Sequence, residues 1–244
     1  TELVGNDAFQ ETDTVGVTAP ITKANFVAGD ADATGGHVAE ALALAAEGRP
    51  GPTLVDLPKD ATTGETHADP TPPPDDPPRS TADDGAVAAA ARALERSERP
   101  LLLLGGGVRK SEASGTCRAL ARDHEIPVVT TMPAVGTYPE DDPLALGMAG
   151  MHGTGAANLA LAHADCLLAV GCRFDNRLTG DVETFAPEAT VVHVDVDPAE
   201  HSKNVHADHP LCGDARAVVD QLRDALDATP EAADWRDTVA DWRD

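Results

Sequence analysis

Residues 69–79 read DPTPPPDDPPR, six prolines in eleven positions. Proline fixes φ and brings no amide donor, so this stretch can neither continue a helix nor sit in a central strand. It runs extended, partly as polyproline II. We take residues 61–82 as an interdomain linker, with residues 1–60 before it and a larger domain, residues 83–228, after it. Residues 1–60 are too few for a domain of their own. They read as a helix (37–48), a rigid Arg49-Pro50-Gly51-Pro52 turn and a short buried strand (53–57). With no methionine at Thr1, this is expected to be the end of a domain that begins upstream.

After the linker, apolar runs alternate with helical patterns. Helices are expected at 86–96, 112–124, 154–163 and 215–226. Strands are expected at 101–104 (running into the glycine turn at 105–107), 126–131, 166–171 and 190–197. Apolar strands alternating with helices specify a parallel sheet covered on both faces, a doubly wound, Rossmann-like α/β domain. Residues 229–244 repeat DWRD and are expected to start a linker to a further domain.

Composition narrows the function. The chain has 42 acidic and 18 basic side chains, a formal charge of −24. Such a surface repels a nucleic-acid backbone or an anionic membrane, and seven aromatic residues leave little for base stacking. No run approaches the ~18 apolar residues of a membrane span, and no secretion signal opens the chain. Only Lys23, Lys59, Lys110 and Lys203 are lysines, while aspartate is spread throughout. That pattern points to a cytoplasmic protein of a salt-accumulating, haloarchaeal organism, where molar salt screens self-repulsion. An ordinary acidic protein is the plainer alternative. Cys117, Cys166, Cys172 and Cys212 form no C-x-x-C pair, which argues against a zinc ribbon or thioredoxin site; free thiols are expected.

In an open parallel sheet, ligands bind beyond the carboxyl ends of the strands. The readable ends are Gly105-Gly106-Gly107, Thr130-Thr131-Met132, Gly171-Cys172-Arg173-Phe174-Asp175 and Asp195-Val196-Asp197. Glycine there lets a ligand approach the backbone. Arg173 offers a fork of donors, and Asp195 an acceptor for a ribose hydroxyl. Together these describe a dinucleotide cleft, although the full G-x-G-x-x-G fingerprint is absent and a plain packed domain would show similar glycines. His152, between glycines before a helix start, is a contact candidate. His193 reads as core. His201, His206 and His209 lie in an apparent loop without metal-ligand spacing, so no metal site is assigned. No nucleophile elbow, Cys–His pair or tuned carboxylate pair is visible.

The wording of the chain carries more. DAFQE (7–11), PITK (20–23), GRPGP (48–52), VDLPKD (55–60), GMHG (150–153), GCRFD (171–175), then Arg177 and Thr179-Gly180 follow in this order. The series closely resembles the catalytic large subunit of acetolactate synthase (acetohydroxyacid synthase), a thiamine-diphosphate enzyme family. GRPGP is shared across many such enzymes, whereas the combination with GMHG and RFD-x-R-x-TG is much narrower. The resemblance implies that residues 1–60 end a pyrimidine-binding domain and that the rest is a central FAD-binding domain. It implies decarboxylation of pyruvate and transfer of the two-carbon unit to a second pyruvate or 2-ketobutyrate, a step of branched-chain amino acid biosynthesis. The implied cofactors are thiamine diphosphate, Mg²⁺ and a structural FAD. A homodimer or tetramer is the implied assembly, and a regulatory small subunit is a candidate partner.

Carried over by motif, Arg49 contacts FAD from the first domain. Gly106, Thr131, Met132, Ala149, Gly150, Met151, His152, Gly171, Cys172, Arg173, Phe174, Asp175, Asp195, Val196, Asp214 and Ala215 line its cleft. Phe9 and Gln10 lie near thiamine and substrate, and Lys59 and Arg177 border the substrate channel. Surface ion pairing is the plain alternative for those two. Asn176 stands where the family has a second aspartate, and Ala24 where histidine is usual. The activating glutamate belongs upstream of Thr1 and the Gly-Asp-Gly…Asn segment downstream of Asp244. No catalytic residue is therefore assigned in this chain, which is expected to be inactive alone. A glyoxylate carboligase, a pyruvate oxidase or a non-catalytic nucleotide-binding module are the alternatives.

Overall fold

A computed structural model describes residues 4–243. The chain forms two compact units, Thr1–Pro78 and Arg79–Asp244.

The first unit contains α1 (Thr14–Thr18), β1 (Ala24–Val27), α2 (Ala31–Ala46), β2 (Thr53–Asp56) and α3 (Lys59–Thr63). The two strands pair in parallel, Ala24 opposite Thr53 and Val27 opposite Asp56. Strand β1 was not expected, and α2 starts six residues earlier than the apolar spacing indicates. The cause is the Asp30 cap, which accepts from the Ala33 amide at 2.8 Å. The cap carries the helix through Gly35 and Gly36, each of which costs about 1 kcal/mol against alanine. At the other end the Lys23 ammonium donates to the Glu47 carbonyl at 2.6 Å, a cation on the negative pole of the helix. Part of the expected linker, just before the prolines, is tied down. Asp32 accepts from the Thr66 hydroxyl at 2.7 Å and the His67 amide at 2.8 Å, and those bonds hold its carboxyl below the usual range.

The second unit runs α4 (Asp84–Glu95), β3 (Pro100–Leu104), α5 (Gly106–Lys110), α6 (Ser114–Asp123), β4 (Val128–Thr130), β5 (Ala145–Met148), α7 (Gly155–His163), β6 (Cys166–Val170), α8 (Asn176–Thr179), β7 (Thr190–Asp195), β8 (His209–Cys212), α9 (Ala215–Ala225) and α10 (Ala233–Arg243). Its six strands are all parallel, in the order β5-β4-β3-β6-β7-β8. The expected doubly wound sheet is thus present. Strands β5 and β8, the two edges, were not expected, and His209 belongs to β8 rather than to a loop. The glycine triplet, expected as a turn, opens α5.

Alternation along the strands builds two cores. Leu102, Leu104, Val128, Leu168, Val170, Val192 and Val194 face α4, α6 and α9. Leu101, Leu103, Val129, Leu167, Ala169 and Val191 face α7 and α10. In α10, Trp235 and Val239 are buried, and the Trp235 indole donates to the Pro100 carbonyl at 3.0 Å. Segment 229–244, expected as the start of a linker, therefore contributes to this unit's core. The four cysteines are free thiols, Cys212 alone exposed; burial pushes Cys117, Cys166 and Cys172 up to about 12. Among the described residues no helix is long and apolar enough to cross a membrane.

Candidate functional site

Because every strand of the second unit is parallel, all six carboxyl ends share one edge. The chain moves outward from β3 to β4 and β5, returns to β6 beside β3, then moves outward the other way. The crevice of such a fold lies at that reversal. Here it is flanked by residues 105–107 after β3 and 171–175 after β6. Their backbones touch directly. The Gly105 amide donates to the Val170 carbonyl at 2.8 Å, Gly107 to Gly171 at 3.0 Å, and Gly171 to Val194 at 2.8 Å. A Cβ on Gly105 would lie 2.1 Å from the Gly171 oxygen, and one on Gly107 2.6 Å from the Gly171 Cα. Beyond the ligand access expected of these glycines, Gly105 and Gly107 are required by the close packing of two loops.

The remaining candidates distribute as follows. Thr131 and Met132 follow β4; Ala149, Gly150, Met151 and His152 follow β5; Asp195 ends β7 and Val196 follows it; Asp214 and Ala215 follow β8. All lie at the same edge as Gly106, Gly171, Cys172, Arg173, Phe174 and Asp175. Met132 and Met151 are 70% and 66% exposed, and the Arg173 side chain 63%. Ala149, Cys172, Phe174 and Ala215 are buried, so their side chains serve the core and are not available at the edge. The Asp214 carboxylate caps α9 through the Arg216 and Ala217 amides at 3.1 and 3.2 Å and pairs with Arg79 at 3.2 Å. Phe9, Gln10, Arg49 and Lys59 belong to the first unit and are exposed. Neither Lys59 nor Arg177 forms an ion pair among the described residues.

Several residues that shape this edge were missed by sequence reasoning. Asn158 brackets Gly150, accepting from its amide at 2.8 Å and donating to its carbonyl at 3.0 Å. Gly150 has φ +101°, and a Cβ there would lie 2.6 Å from the Arg177 carbonyl, which itself accepts from the Met151 amide at 2.8 Å. The β5 loop and α8 are thereby joined. Asp175 caps α8 through the Arg177 amide at 3.1 Å and pairs with Arg173 at 3.3 Å. His193, wholly buried as expected, has its Nε2 2.7 Å from the Cys172 carbonyl. Burial lowers its pKa to about 4. Among the described residues no group of three or more His, Cys, Asp or Glu is placed to hold a metal ion.

The sheet order and its parallel strands define an α/β domain of the doubly wound, Rossmann-like type. Residues 87–222 match the family described as "Thiamine pyrophosphate enzyme, central domain". The chain belongs to that family. It is 48% identical over 232 residues to a probable acetolactate synthase large subunit of Methanocaldococcus jannaschii, covering 93% of this chain and 39% of that protein. It is 45% identical over 223 residues to an acetolactate synthase of Mycobacterium bovis, covering 90% and 36%. To an acetolactate synthase large subunit of Corynebacterium glutamicum it is 44% identical over 230 residues, covering 93% and 37%. The chain thus spans under two-fifths of the length of these relatives.

Proposed function

We propose that this chain is part of an acetolactate synthase large subunit, which decarboxylates pyruvate and joins the two-carbon unit to a second 2-keto acid. The identity of 44–48% along more than nine-tenths of the chain, to relatives bearing that name, carries the reading. In this reading the second unit holds a structural FAD along its carboxyl edge. The donor set fits such a group: an exposed guanidinium at Arg173, a carboxylate at Asp195, and exposed apolar side chains at Met132 and Met151 beside the edge. Arg173 would meet a pyrophosphate charge, Asp195 a ribose hydroxyl, and the methionines an apolar ring face. Within the first unit Phe9 and Gln10 would stand near thiamine and Lys59 near substrate, and within the second Arg177 would meet a substrate carboxylate. Thiamine diphosphate supplies an electron sink for breaking the bond to a carboxylate. Among the described residues no group of three or more His, Cys, Asp or Glu is placed to hold magnesium. The assembly is a homo-oligomer with a regulatory small subunit, in the cytoplasm.

The full-length protein, supplied with pyruvate, FAD, Mg²⁺ and thiamine diphosphate, is expected to make acetolactate. Carboligation of glyoxylate alone, or redox cycling of the flavin during turnover, would assign a sister enzyme instead. Arg173→Ala is expected to weaken FAD binding, read by flavin fluorescence, about tenfold or more, the loss of one charge-assisted hydrogen bond. Unchanged affinity would remove Arg173 from the site.

The charge of −24 gives a separate expectation. Raising KCl from about 0.1 M to about 3 M shortens the Debye length from ~10 Å to below ~3 Å, so the melting temperature is expected to climb steeply with salt. A melting temperature independent of KCl would refute adaptation to a saline cytoplasm.

A further inference from the structure

Phe174 sits at φ +50°, a conformation that a bulky side chain adopts only where its surroundings impose it. Those surroundings are specific. The Asn204 side-chain amide donates to the Phe174 carbonyl at 3.0 Å and reaches the Arg173 carbonyl at 3.3 Å. The Cys172 carbonyl, which can only accept, is 2.7 Å from His193 Nε2, so that nitrogen carries the proton. The His193 ring meets Phe174 edge-on with centroids 4.9 Å apart, and Phe185 packs on the same ring at 5.8 Å. Three consecutive residues, 172 to 174, are therefore each gripped at the backbone, while the Arg173 side chain stays exposed and pairs at 3.3 Å with the half-buried Asp175. Asn204 is itself exposed. It fills no core, and among the described residues its side chain bonds this loop alone.

We propose that Asn204 and His193 are positioning residues, holding the strained backbone at Phe174 so that Arg173 is presented at the carboxyl edge; the ligand presented to, FAD, rests on the reading above. Neither residue carries a contact to the cofactor. Their effect passes through the loop.

Asn204→Ala is the diagnostic change, because removing the buried His193 ring would also open the core. Asn204→Asp, equal in size but without the donor, serves as the second variant. In the full-length protein, native-state trypsin is used to compare the cleavage rate after Arg173 with that after Lys110, exposed at the end of α5. Cleavage of this kind tracks the population of the locally open form. Both variants are expected to raise the Arg173-to-Lys110 ratio roughly tenfold, as for two weakened hydrogen bonds, and to raise the FAD dissociation constant by a similar factor. An unchanged ratio, whether both rates stay fixed or both rise together, overturns the positioning role. So does a raised ratio with wild-type FAD affinity. If the wild-type protein itself fails to bind FAD while the ratio rises, the hold on the loop stands and the cofactor reading fails.

Discussion

Gly105→Ala is expected to destabilise the second unit by about 3 kcal/mol or more, enough to abolish most soluble protein. The added methyl carbon would stand 2.1 Å from the Gly171 oxygen and 2.7 Å from the Cys172 Cα. Both are backbone atoms of a loop anchored to β7 through the Gly171 amide, so neither can yield cheaply. Gly171→Ala is expected to be as harmful, since φ there is +61° and the Gly107 Cα is 2.6 Å from the new carbon. Gly115→Ala provides the contrast. It lies inside α6 with open space around it and should stabilise the protein by roughly 0.5–1 kcal/mol. Equal unfolding free energies for Gly105→Ala and wild type would mean that the two loops do not pack as described.

His193 is expected to make the protein lose about 3 kcal/mol of stability as pH falls from about 6.5 to about 4. Burial is the main cause of its lowered pKa; its bond to the Cys172 carbonyl opposes the shift, and the neighbouring His201 adds to it. Above pH 6.5 both folded and unfolded histidine are neutral and stability is at its full value. Below it the unfolded chain takes up a proton that the folded protein refuses until its own pKa, about 4, is reached. Urea titrations of wild type and His193→Asn across this range, in molar KCl, should show a shallower acid limb for the variant. Parallel curves would place the acid sensitivity elsewhere.

Legibility from sequence followed the strength of the apolar signal. The runs at residues 101–104, 166–170 and 190–195 are central strands with both faces buried, so continuous hydrophobicity announced them. The missed strands, β5 and β8, are the edges. Strand β8 contains Pro210, which an edge tolerates and a sequence reader counts against a strand. Strand β5 carries Gly147 at φ +92° beside a register shift against β4. The candidate edge was legible because a parallel sheet fixes where its loops emerge, so GCRFD and GMHG needed only their place after a strand. The loop's supports were not. Asn204 acts on residues 30 positions away, His193 reads as one more core residue, and Asn158 is an ordinary helix residue until the bracketed Gly150 is seen. The glycine triplet was legible as a place after a strand, but its packing was not: a Cβ on Gly105 or Gly107 would meet the Gly171 backbone, and composition does not show which backbone lies opposite.

Arg79 bonds the Ser111 carbonyl at 2.6 Å, Glu112 at 3.2 Å and the Asp214 cap of α9, while Ser80 accepts from the Asp214 amide at 2.8 Å and Gln221 brackets Ala82. A truncation designed from family likeness alone, starting at residue 87, would discard this whole strap. It would also remove Asp83, the cap of α4. The severable piece for recombinant work therefore starts no later than Arg79, because the first side chain past the prolines already buckles two distant helices together.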